Sequence, residues 1–187
     1  MAACSGKRVS EQELKSYILN DENGLHKNRK INDIDIDVFY RPAELVWIKD
    51  LEEISDPVKR EAQQEAIDTL SYFMFHFSRN GKEIENAYVS NSSEFTSVIN
   101  YLSFDIANDI HIISGSDTTD ALDVMYARTF GGMGSTGVMA IFNKDVRKNN
   151  KNIKVYFDDS VFGTGNSEFD FLIDDIKKTP TLTINKL

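Results

Sequence analysis

Several groups of residues in this chain have the types and spacing of chemical sites, and each carries a structural requirement that can be tested against its neighbours. Gly132-Met133-Gly134-Ser135-Thr136-Gly137 has the G-x-G-x-x-G spacing that lets a strand-to-helix turn approach a pyrophosphate. That chemistry needs a helix after the last glycine, yet Val138-Met139-Ala140-Ile141-Phe142 reads as a strand, and no lysine is placed for a Walker-type loop. The segment therefore predicts a hairpin or bulged connection. Asp33, Asp35 and Asp37 share the spacing of the first three ligands of a calcium loop, but Val38 occupies the place where that loop needs glycine for its sharp turn. A solvated strand face explains them better, and no metal is expected. Asp158-Asp159 and Asp174-Asp175 are carboxylate pairs whose neighbours point opposite ways on a strand, so only cooperation between the pairs could supply a glycosidase-like acid and base. His26, His76 and His111 lack zinc-site spacing. His76 lies in the most apolar strand with Tyr72 and Met74 on its face, the setting of a core or interface histidine. Ser71, Ser114 and Ser116 lack a nucleophile-elbow context. Arg41, between Tyr40 and Pro42, and Arg128, near the end of an apolar strand, either cap carbonyls and pair with carboxylates or, in an anion-binding protein, contact the ligand. No catalytic set and no cofactor site emerges.

The single cysteine belongs to another kind of chemistry. Ala2-Ala3-Cys4 matches the end of a bacterial lipoprotein signal, with two small residues before the cysteine that receives the lipid and Met1 at the apolar position. The charged and apolar regions of such a signal are missing ahead of it, so the reading requires a trimmed chain or a start upstream of Met1. The alternative is an incidental thiol near the terminus of a cytosolic protein. In its tail Cys4 has no scaffold to hold it against a histidine, which disfavours a cysteine hydrolase. The order of motifs adds to the first reading. Glu22-Asn23-Gly24-Leu25, Tyr40-Arg41-Pro42, Tyr101-Leu102-Ser103-Phe104, Arg128-Thr129-Phe130-Gly131 and Asp175-Ile176-Lys177-Lys178-Thr179-Pro180 together resemble a group of uncharacterised envelope lipoproteins of Bacteroidetes type. The resemblance spans most of the chain and implies a lipid on Cys4, but it brings no established activity. Surface-exported members have an acidic cluster after the cysteine, whereas Ser5-Gly6-Lys7-Arg8 is basic, so the resemblance implies a periplasm-facing anchor.

The elements that position these residues follow from pattern. Ser10-Glu11-Gln12-Glu13 is a capping box with Val9 and Leu14 as its hydrophobic staple, starting a helix near residue 11 that ends before Gly24. Residues 31–40 alternate as a half-buried strand. Pro42 opens a helix over about 42–52, and Asp56-Pro57 opens an exposed one through about Ala66. Residues 69–78 are apolar on both faces and suit a central strand; Asn80-Gly81 signals a hairpin leading to a strand near 84–90. Asn91 and Glu94 cap a helix with Phe95, Val98, Ile99 and Leu102 on its apolar face. Strand-like runs follow at about 109–114, 121–130, 137–143, 152–158, 168–173 and 181–184. Helices early and strands late predict a single α+β domain: a twisted antiparallel sheet of six to eight strands with three or four helices on one face.

The whole composition sets limits. A chain of 187 residues with 41% hydrophobic and 27% charged residues builds one core, and residues 10–187 are expected to form that domain behind a 1–9 lipid-anchor tail. A net charge of −9 disfavours nucleic acid as a partner. These observations predict a membrane-tethered, periplasm-facing binding or structural module with an envelope protein partner. The alternatives are a cytosolic interaction or immunity-type protein and, behind it, a hydrolase using paired carboxylates.

Overall fold

A computed structural model describes residues 7–147 and 151–183. Its elements in chain order begin with β1 (Arg8–Val9), α1 (Glu11–Leu19), β2 (His26–Ile31), β3 (Ile34–Arg41), α2 (Ala43–Val46), α3 (Ile48–Glu53), α4 (Pro57–Ile67), β4 (Leu70–Arg79) and β5 (Lys82–Glu83). They continue with α5 (Ser92–Asn100), β6 (Ile110–Ser114), β7 (Asp117–Asp120), β8 (Asp123–Tyr126), β9 (Thr136–Asn143), β10 (Asn152–Asp158), β11 (Asn166–Leu172), α6 (Ile173–Lys177) and β12 (Thr181–Leu182). The class is α+β.

The main sheet has six strands in the order β2-β3-β4-β9-β8, with β5 added to β4, all antiparallel. Its centre is β4, where Phe73, Phe75 and Phe77 face inward and Tyr72, Met74 and His76 face outward. The inward phenylalanines meet a second sheet, β11-β10-β6-β7. Phe73 packs edge-on to Phe171 at 5.2 Å between centroids, and Phe77 lies 5.1 Å from Phe157. Sheet-on-sheet packing through aromatic side chains therefore fills the core. The late strand runs divide between these two sheets, a partition that alternation within single strands could not reveal.

Helices cover part of the opposite face. Tyr72, Met139 and Ile141 form a small outer cluster beneath Ala43, Val46 and Trp47, and the Trp47 indole N–H donates to the Tyr72 hydroxyl at 3.0 Å. The capping box forms as its sequence predicts: the Ser10 hydroxyl accepts from the Glu13 N–H, while the Glu13 carboxylate accepts from the Ser10 N–H at 2.8 Å.

Several boundaries differ from the sequence reading. The strand expected over 121–130 is only β8, so Arg128 lies in the connection after it and not at a strand end. The strand over 31–40 is the second arm of a hairpin turned by Asn32, whose φ of +57° lies in the left-handed region. The helix over 42–52 breaks at Trp47 into α2 and α3. The segment 84–88 is a 3-10 turn rather than a strand. Arg8 and Val9 belong to the fold instead of the tail, because β1 pairs in parallel with β12 and Val9 is buried in the core.

Candidate functional site

Nine residues, 127–135, connect β8 to β9 and contain Arg128 and most of the glycine-rich motif. Left alone, a connection with three glycines would be loose. Two buried glutamates from the other side of the Asn80-Gly81 turn hold it. The Glu83 carboxylate accepts hydrogen bonds from the Thr129 hydroxyl, the Gly131 N–H at 2.6 Å and the Met133 N–H at 3.0 Å. The Glu85 carboxylate accepts from the Tyr126 hydroxyl at 2.9 Å and from the Thr136 hydroxyl, whose oxygen in turn accepts the Ile84 N–H. Burial alone would raise the Glu83 carboxyl, but the Thr129, Gly131 and Met133 donors and the nearby Arg128 charge outweigh it and hold it below its ordinary range. Burial and the bond to Glu85 push the Tyr126 phenol in the other direction, so it remains a donor.

The anchored loop presents a strained residue to solvent. Phe130 has φ +54°, a conformation that a bulky side chain rarely adopts, and it is 79% exposed. The Arg128 guanidinium lies 4.5 Å from the Phe130 ring centroid and 4.9 Å from that of Phe95 on α5, a cation between two rings. Met133, at 62% exposure, lies beside them in sequence. Arg128 thus stacks on aromatic faces while its charge lies near the Glu83 carboxylate.

Arg41 sits elsewhere. It pairs in register with Tyr72, whereas the loop adjoins the Phe77 and Ser78 end of β4, six residues and about 20 Å away. The two arginines therefore do not form one anion site. Arg41 lines a cavity of about 210 Å³ with Lys15, Ile18, Leu19, Phe39 and His76, and its Nε is buried without a hydrogen-bond partner.

The remaining candidates separate. Asp158 pairs with Asn166 at one end of the β10–β11 hairpin, while Asp174 and Asp175 follow Leu172 at the other, about 20 Å away, so the carboxylate pairs cannot cooperate. Each of the three aspartates at and before β3 has a neighbour: Asp33 with Arg79, Asp35 with Lys30, and Asp37 with His26 at 2.7 Å. Glu44 does stand at the twelfth place of the calcium spacing, but β3 runs extended to Arg41 and no loop forms around an ion. No metal-binding group of three or more ligands occurs among the described residues. Ser71 faces inward and His76 outward, so β4 assembles no serine–histidine pair. His111 stacks on Tyr156 at 5.1 Å. Thr136 opens β9, so the glycine motif leads into a strand as its neighbours indicate. Cys4 lies outside the described residues.

The sequence reading missed Glu83 and Glu85. Their signal was present, since two carboxylates straddle Ile84 just after a hairpin turn while residues 127–144 contain no acid at all in a chain with 30. The fold is α+β, and the loop is held by Glu83 with Phe130 and Met133 exposed. Comparison with family models, with curated proteins and with solved structures finds no match.

Proposed function

We propose that this protein is a non-catalytic binding module, tethered to the envelope membrane through a lipid on Cys4, whose loop 127–135 engages a protein partner. The observation that carries the binding reading is the pair of buried glutamates holding an exposed, left-handed Phe130. Two desolvated carboxylates with every oxygen bonded serve to fix a loop, and residues in strained conformations cluster where proteins bind or react. The loop offers a cation, an aromatic ring and a thioether with no carboxylate from 127 to 144, which suits a partner with an apolar cleft rimmed by acids.

The tether rests on Ala2-Ala3-Cys4 and on the lipoprotein resemblance. No helix among the described residues is long and apolar enough to cross a bilayer. Stable residence through a lipid on Cys4 would need more than one acyl chain. Expression with the native upstream sequence and a labelled fatty acid tests this. Label on the wild type, absent from Cys4→Ala together with its membrane association, is the expected result; a soluble, unlabelled wild type would remove the tether.

The loop is tested separately in the native host by a photo-crosslinking residue at position 130 with a control at Thr118. A discrete protein adduct at 130, absent at 118 and lost on Glu83→Gln, is expected. Equal adducts at both positions, or none, would refute the docking role. Phe130→Gly gives a further check. Relief of about 1–2 kcal/mol of backbone strain offsets the loss of an exposed cation–π contact of about 0.5–1 kcal/mol. Its urea midpoint should therefore stay close to wild type, within about 1 kcal/mol, while partner affinity falls.

A further inference from the structure

The cavity at Arg41 lies on the outer face of the sheet and has features of a ligand site. One wall is α1, through Lys15, Ile18 and Leu19; the other is the outer face of the sheet, through Phe39, Arg41 and His76. Its apolar side is rigid, because Phe39 is stacked against His26 at 4.4 Å and nearly parallel, with His76 edge-on at 5.2 Å. Asp21 and Asp37 hold His26 at 2.9 and 2.7 Å, which locks the row from the far side.

The polar side is unsatisfied. Arg41 has a buried Nε without a partner, and leaving a buried donor of a charged group unpaired is costly. The carboxylate of this chain that acts on it electrostatically, Glu11, is bonded to Lys15 at 2.5 Å and nearly half exposed. His76 has no hydrogen bond among the described residues, and burial lowers its pKa, so at neutral pH its ring is uncharged and presents one donor and one acceptor.

We propose that this cavity binds a small organic carboxylate with an apolar body, the carboxylate on the Arg41 guanidinium with His76 as second polar contact, and the body against Ile18, Leu19 and Phe39. A guanidinium presents a planar fork of donors that matches a carboxylate, and about 210 Å³ holds a single-ring or short aliphatic acid. Metal-free recognition of this kind needs a cation, a neutral polar group and apolar walls, and Arg41, His76 and the Ile18, Leu19 and Phe39 side chains supply them.

The probe is 3-phenylpropionate, titrated into the isotope-labelled full chain at neutral pH, with 3-phenyl-1-propanol as the uncharged match. Saturable shifts at Leu19, Phe39, Arg41 and His76 are expected, at least tenfold tighter for the acid than for the alcohol. Arg41→Gln should weaken the acid by about tenfold or more and leave the alcohol unchanged, as loss of a charge-assisted bond implies. Absence of shifts at millimolar acid, or equal binding of acid and alcohol, would overturn the proposal using the wild type alone. If Arg41→Gln disturbs the fold, Arg41→Lys replaces it: retained charge without the fork should give an intermediate affinity, and unchanged affinity would argue against recognition by the guanidinium.

Discussion

Glu83 couples protonation to the shape of the loop. Its carboxyl is held below its ordinary value of 4.5, so the folded state favours the ionised form and the bonds to Thr129, Gly131 and Met133 are fully present above that pH. As pH falls through the lowered folded value, the carboxylate protonates, the bonds weaken and the associated stability is lost. Protection of the Gly131 and Met133 amides against hydrogen exchange should therefore be constant above about pH 5 and collapse under stronger acid, well before the core strands exchange. Protection that persists to the acid unfolding of the whole molecule would show that Glu83 is incidental to loop order. Glu83→Gln should open the loop at neutral pH, because an amide turns an NH2 toward donors that need an acceptor, at a cost of about 2–3 kcal/mol. Little of this site was legible in the sequence: Arg128 could be singled out as a charge at the end of an apolar strand, but its cradle joins residues about 50 positions apart.

At the level of elements, the short-range signals were read well and the long-range ones were not. The capping box at Ser10, the left-handed exit at Gly24 with φ +71°, the Asn80-Gly81 turn and the Asn91 cap depend on residues within four positions, and all form. The doubly apolar run at 69–78 identified the central strand, observed as Leu70–Arg79, because only burial on both sides permits it. What covers each side depends on pairing between distant strands, so the second sheet was invisible. Gly24 exemplifies a long-range role hidden behind a local one. A Cβ there would stand 2.6 Å from Asp175 Oδ2, so a side chain at this turn would have to displace the Asp175 carboxylate of α6. Gly24→Ala should cost about 1–2 kcal/mol from backbone conformation alone, plus displacement of Asp175 from its bond to Lys178, seen as a lower urea midpoint. Phe75→Ala should cost about 3–5 kcal/mol, since it opens a cavity between the sheets where Phe77, Phe157 and Phe169 meet. A loss near 1 kcal/mol would mean that the two sheets do not share this core.

Across the whole molecule, both candidate sites touch β4: the cavity on its outer face beside α1 reaches His76, which lies opposite Gly137 of β9, and the β8–β9 connection ends at Thr136, opposite Phe77. Both are attached to the same strand, so the question is whether occupying one alters the other. Coupling between them requires an element with two arrangements that both ligands bias. The path between the sites is β4 paired along its length with β3 and β9, with its inward phenylalanines locked against the second sheet. A close-packed central strand of that kind has no second register, because a one-residue slip would turn Phe73, Phe75 and Phe77 outward. The sites should therefore behave additively. Phe130→Gly should leave 3-phenylpropionate affinity unchanged, Arg41→Gln should leave the crosslink at position 130 unchanged, and their effects on stability should sum to within about 0.5 kcal/mol in the double variant. A ligand-dependent change in crosslinking yield, or a larger interaction energy, would show instead that β4 moves as a unit and that this module responds to a small acid by changing how it holds its partner.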